Sequence, residues 1–148
     1  MATLSFSAAV AQWADKVEGA VEAVFKESVQ EVVEEMQTPV GQGGRMRVDT
    51  GFLRASLLAS STSMPAIKAS SKPVEGSAYT PNFSQVEAVI AGSDIGDTLY
   101  FGYTASYAGH REYGSNGQPA DGFVRMAAQN WPIIVDRKAA EFRARLGL

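Results

Sequence analysis

The sequence predicts an α+β fold in which a small, mainly antiparallel sheet packs against a long N-terminal helix and a C-terminal helix. Three observations predict it. Apolar residues recur at steps of three and four from Val10 to Met36, short runs bounded by Gly, Ser and Asp fill the middle, and helical spacing returns from Phe123 to Leu146. The 148 residues fit a single domain, 1–148, to which mass scaling gives a folded surface of about 7,300 Å². With 45% hydrophobic and 20% charged residues and a mean hydropathy of −0.09, the composition is that of a globular protein rather than a disordered chain.

The first helix is read from Val10, Trp13, Val17, Val21, Val24, Phe25, Ser28, Val32 and Met36. Ser5 or Ser7 caps its start, and Pro39 stops it by disfavouring helix in the residue before it. About thirty residues at 1.5 Å each make a rod near 45 Å. Such a rod spans a whole sheet or keeps part of its apolar stripe for a neighbour. Gly41 to Gly44 are read as a flexible connection, because no Lys-Ser/Thr pair follows them as a phosphate loop requires. Asp49 and Thr50 cap a short helical turn that leads into a strand over 56–63. Residues 64–83, with Pro65, Pro73 and Pro81 among serines and alanines, form a flexible loop and a candidate docking arm. Further strands are placed over 85–91 and 98–104, joined by a hairpin at 92–97. A short helix over 107–113 ends at Gly114, and the last helix, about 123–146, is kinked or divided by Pro132.

The net charge of −3 is unevenly spread. Seven acids from Asp15 to Glu35 face only Lys16 and Lys26, whereas three acids from Asp121 onward face five basic residues. The first stretch is thus −5 and the last +2, which allows an acidic helix face to meet a basic one within a molecule or between copies. A pI near 5.1 argues against a free duplex-DNA binder. No apolar run reaches the roughly 18 residues of a membrane span. The N-terminus carries no basic and apolar leader, so a cytoplasmic chain without a membrane partner is expected.

Candidates for chemistry are few. The absence of cysteine removes thiolate nucleophiles and Cys-based metal sites, and His110, the single histidine, sits beside Arg111 and reads as a surface or interface residue. No G-x-S-x-G elbow is present. Neither a catalytic set, a cofactor-binding loop nor a metal site is expected. Glu112 with Glu87 or Asp97 is the one acid pair on which a small hydrolase could be built, and structural carboxylates are the simpler reading. Arg45, Arg47 and Arg54 cluster and could meet phosphates or pair with the acidic first helix. Tyr100, Phe101, Tyr103 and Tyr107 form the densest aromatic patch, core on one face of a strand or else a binding surface.

Three patches carry a resemblance. Val48-Asp49-Thr50-Gly51-Phe52-Leu53-Arg54-Ala55-Ser56-Leu57 matches a TG-x-L-R-x-S pattern, Tyr107-Ala108-Gly109-His110-Arg111-Glu112-Tyr113-Gly114-Ser115 matches Y-A-x-x-x-E-[FY]-G-[ST], and Phe123-Val124-Arg125-Met126-Ala127 is similar to a P-F-x-R-P-A entry into a final helix. In this order the patches resemble the neck and tail-completion proteins of tailed phages. The chain departs from that pattern at Gly122 and Met126, which stand where prolines would, and in the length of 64–83. The resemblance implies a structural, non-enzymatic protein that joins head to tail, made in the host cytoplasm and residing in the virion neck or tail. It implies a homo-oligomeric ring in contact with neighbouring neck, head-closure and tail proteins, and leaves open whether DNA in a central channel comes near it. A tail terminator, a minor capsid protein or an assembly chaperone is the alternative within the same assembly. As motif residues, Thr50 and Gly51 would make the tight turn, Leu53 would reach the core with Ser56 beside it, and Arg54 would pair with Glu112. Gly114 would end the helix begun near Tyr107, and Phe123 and Arg125 would open the last one.

Overall fold

The computed structural model describes residues 6–147. Helix α1 (Phe6–Gln37) is followed by a single 3-10 turn, Val40–Gln42, and by α2 (Phe52–Ala55), which delivers the chain into strand β1 (Leu57–Ser60). Then come α3 (Ser84–Ala91), strand β2 (Tyr100–Tyr103), α4 (Ala108–Tyr113), α5 (Phe123–Gln129) and α6 (Trp131–Leu146). The fold is α+β, with a long N-terminal helix, an antiparallel two-stranded sheet and a C-terminal helix packed together. Leu57 pairs with Tyr103 and Ser60 with Tyr100, so Leu57 and Ala59 point into the core while Leu58 faces out. The core gathers Val29, Val33 and Met36 of α1, Leu53, Leu57, Val86, Ile90, Tyr103 and Phe123.

Helix α1 covers the predicted span. Ser7 lies inside its first turn rather than capping it, and Ser5 falls outside the described residues. The last helix is divided, as Pro132 demands: α5 ends at Gln129, Asn130 makes the break, and Pro132 sits in the first turn of α6, where its missing N–H costs nothing. Acidic and basic helices meet within the molecule, since Arg137 of α6 pairs with Glu31 of α1 and Asn130 donates to Glu35 at 3.0 Å.

The segment 85–91 corrects the expected strand. It is helical because Val86, Val89 and Ile90 stand at i, i+3 and i+4, and burying Val86 and Ile90 together outweighs a weak alternation. The edge of β1 that a third strand would have covered is closed by a side chain instead. The Gln85 amide accepts the Ala59 N–H at 2.9 Å and donates to the Ala59 carbonyl at 2.6 Å. Residues 92–97 accordingly join a helix to a strand and are not a hairpin; Asp97 Oδ2 accepts the Asp94 N–H at 2.7 Å within that turn.

Residues 64–83 hold no helix or strand, as expected of a loop. Backbone hydrogen bonds tie them to the body: Lys68 N–H donates to Thr104 O, Ser106 N–H to Ser71 O, and Tyr79 N–H to Thr50 O at 2.8 Å. The Tyr79 ring meets Phe52 edge to face at 5.0 Å.

Candidate functional site: a cleft where the sequence patches meet

Thr50 begins the first patch by fixing a turn. Its Oγ1 accepts the Phe52 N–H and its carbonyl accepts Tyr79 N–H. Gly51 follows in the left-handed region at φ 84°, and a Cβ there would overlap the Tyr79 carbonyl oxygen. The glycine is therefore required twice, by its own backbone and by the 64–83 segment crossing above it. One turn of helix then buries Leu53, and the Ser56 hydroxyl donates to the Leu53 carbonyl at 2.7 Å to end the turn.

Arg54 does not pair with Glu112. Its Nε donates to the Gln37 carbonyl at 2.9 Å, and the Gln37 amide returns a bond to the Arg54 carbonyl at 3.0 Å, locking α2 to the end of α1. Tyr103 completes this group by donating its hydroxyl to Gln37 Oε1 at 2.7 Å. Burial of Tyr103 pushes its phenol well above the ordinary range, more than the nearby Arg54 guanidinium can offset.

Glu112, only 5% exposed, binds the third patch instead. Its Oε2 accepts the Val124 N–H at 2.9 Å, and its Oε1 accepts both the backbone N–H and the Nε of Arg125 at 3.0 and 2.9 Å. The residue before α5 is Gly122, which has no side chain to cap the helix, so a carboxylate from α4 satisfies the first free amides. Arg125 also donates to the Glu112 carbonyl and lies 4.7 Å from the Tyr113 ring centre. The expected Arg–Glu pair therefore exists with a different arginine, one that closes the second patch on the third. Phe123 inserts beneath it, edge-on to Tyr103 at 5.1 Å. Gly114, at φ 83°, lets the chain turn where a Cβ would come within 2.8 Å of the Gln118 carbonyl oxygen.

The first two patches meet in an open cleft of about 300 Å³. Its lining includes Thr50, Gly51 and Arg54 of the first patch, Tyr107 and Arg111 of the second, and Arg47 and Asp49. Arg47 is already engaged: it pairs with the buried Asp121 and donates to Gln118 Oε1 and the Pro119 carbonyl. Among the described residues the Arg111 guanidinium has no hydrogen-bond partner, and only the Nε of Arg54 is used. With Arg47 neutralised by Asp121, Arg54 and Arg111 face Asp49, which leaves the cleft a small excess of positive charge on an acidic protein, able to accept a carboxylate. Partial burial raises the Tyr107 phenol above its ordinary value despite the Arg111 charge beside it.

Sequence reasoning did not single out Gln37, nor Asp121 as the partner of Arg47. Seventy-four positions separate Arg47 from Asp121, and no local pattern links them. His110 is exposed, whereas the strand aromatics are largely core, with Tyr103 buried and Tyr100 and Phe101 half-buried. Among the described residues no group of three or more His, Asp or Glu is placed to hold a metal ion, and no helix is long and apolar enough to cross a membrane. No protein-family model, curated protein or solved structure matches the chain.

Proposed function

We propose that this chain is a structural subunit of the neck of a tailed phage, assembling as a ring that joins head to tail. The observation that carries the reading is the surface left uncovered. The chain exposes 9269 Å², some 2,000 Å² more than the approximately 7,300 Å² expected of a compact monomer of its mass. A subunit in a ring has two neighbours, and each standard interface covers about 800 Å² per side. The excess is of that size, and the exposed large apolar side chains include Phe6, Val10 and Trp13 on α1 and Met64, Ile67 and Val74 on the 64–83 segment. The joining of the second patch to the third through Glu112 and Arg125, and of the first to the second across the cleft, adds support by making the three resemblance patches one connected unit. Glu112, on which a hydrolase would rest, has both carboxylate oxygens occupied by α5.

The test is a lysate of the phage or prophage that encodes the chain, with its codon for Trp13 changed to a stop. DNA-filled heads and finished but unattached tails are expected in electron micrographs, and supplying the purified chain should join them. Complete particles without the chain would contradict the reading, and empty or unfinished heads would move the protein to an earlier step of assembly.

A further inference from the structure

Helix α1 overhangs the rest of the molecule. Helix α6 runs back along it and stops level with Lys16, whose Nζ donates to the Leu146 carbonyl at 2.8 Å. Every residue from Phe6 to Lys16 except Ala8 is exposed. Phe6, Val10 and Trp13 stand there at steps of four and three, the spacing of a helix–helix seam, and are 86%, 48% and 59% exposed. Val17, Ala20 and Val24 continue the same steps and are half-buried where α6 runs alongside. The seam thus extends about three turns past its intramolecular partner.

A second apolar surface lies further along the same helix. Phe25, Val32 and Met36 of α1, Leu99 and Phe101 at β2, and Trp131 at the start of α6 line a groove of about 440 Å³. Among the described residues that line it, Asp97 is the single ionisable one. The ridge is uncharged from Phe6 to Ala14, so seating it in the groove would strand no charge of its own. A chain cannot fill its own groove with its own ridge, because Trp13 and Phe25 are twelve positions apart on one unbroken helix, about 18 Å along a rigid axis.

We infer that the Phe6–Val10–Trp13 ridge of one copy docks in the Phe25–Leu99–Trp131 groove of the next, an inference that rests on the ring reading above. Two different patches that match each other make a head-to-tail contact, the kind that closes into a ring when the rotation per subunit allows it. Ridge-to-ridge pairing would yield a closed dimer and leave the groove uncovered.

The sequence has no cysteine, so engineered thiols report without background. Ala9→Cys flanks the ridge and Thr98→Cys lies at the groove; both positions are exposed. Mixing the two single variants with a short bis-maleimide should give a mixed cross-linked product in excess of either self-linked one. Adding Trp13→Glu to the Ala9→Cys chain should lower the yield at least tenfold, while the melting temperature of that chain stays within a degree or two. Dominant self-linking through Ala9→Cys, or no link in a sample that native mass spectrometry shows to be oligomeric, overturns the docking and leaves the ring reading standing. A mixed link in an open ladder of sizes with no closed species supports the docking and contradicts the ring. A monomer at every concentration overturns both.

Discussion

Gly51 is the residue on which the first patch turns, and its constraint comes from outside the patch. Gly51→Ala would place a β-carbon at a left-handed φ, costing about 1–2 kcal/mol, and would drive it against the Tyr79 carbonyl. A total loss of at least about 2 kcal/mol is expected from the denaturant midpoint at unchanged slope. A change under about 0.5 kcal/mol would mean that the segment does not cross there. Glu112 makes a second claim at this scale. Double-mutant cycles should give a coupling of about 0.5–2 kcal/mol between Glu112→Ala and Arg125→Ala, kept modest by the exposure of the arginine. Glu112→Ala and Arg54→Ala should add within about 0.5 kcal/mol; the reverse ranking would restore the pairing first expected. That Glu112 pairs with an arginine was legible in the motifs, but which arginine was not. Arg54 and Arg125 occupy equivalent charged positions in a linear reading, and only the fold shows that Val124 and Arg125 bring their backbone amides to the carboxylate. Tyr103 was legible as an aromatic of a strand and not as the donor that joins β2 to Gln37.

Among the elements, α1 was readable because its apolar period repeats over 32 residues, long enough for the helical spacing to exclude any other. Helix α3, with eight residues, was not. Val86, Ala88 and Ile90 alternate as well as they step, and what decides between the two is burial against α1 and β1, a tertiary fact. The 64–83 segment was read correctly as irregular, yet its ends hold the first patch in place, so removing all of it would also strip Thr50 and Phe52 of their contacts with Tyr79. Hydrogen exchange should therefore divide the segment. The amides of Lys68 and Tyr79, bonded to Thr104 and Thr50, should exchange at least about tenfold more slowly than those of the exposed Glu75 and Gly76. Uniform exchange throughout would count against the tethers. Strand β2 offers a test by pH. Its buried Tyr103 has a phenol raised by desolvation, so the folded state holds the proton that the unfolded state releases above its ordinary value near 10. Stability from this group is intact below that value and falls as pH rises beyond it. The decline in melting temperature between about pH 9.5 and 11 should be shallower in Tyr103→Phe. Parallel curves would show that Tyr103 ionises as freely in the fold as out of it.

Across the whole molecule, covering is unequal. The part of α1 from Phe25 on, the sheet and the shorter helices share one core, while the first turns of α1 and the apolar groove are left to solvent. Charge is divided in the same way. Arg137 and Glu31 satisfy each other within the chain, but Asp15, Glu18 and Glu34 remain exposed on α1, and Arg111 stands in a cleft whose guanidiniums outnumber its carboxylate. An acidic helix and a basic cleft on one chain can serve neighbouring copies as readily as foreign partners. The most direct test of the central claim is native mass spectrometry of the purified full chain over a hundredfold range of concentration. A closed oligomer of one fixed subunit number is expected, growing at the expense of monomer as concentration rises. Monomer alone across the whole range would contradict it.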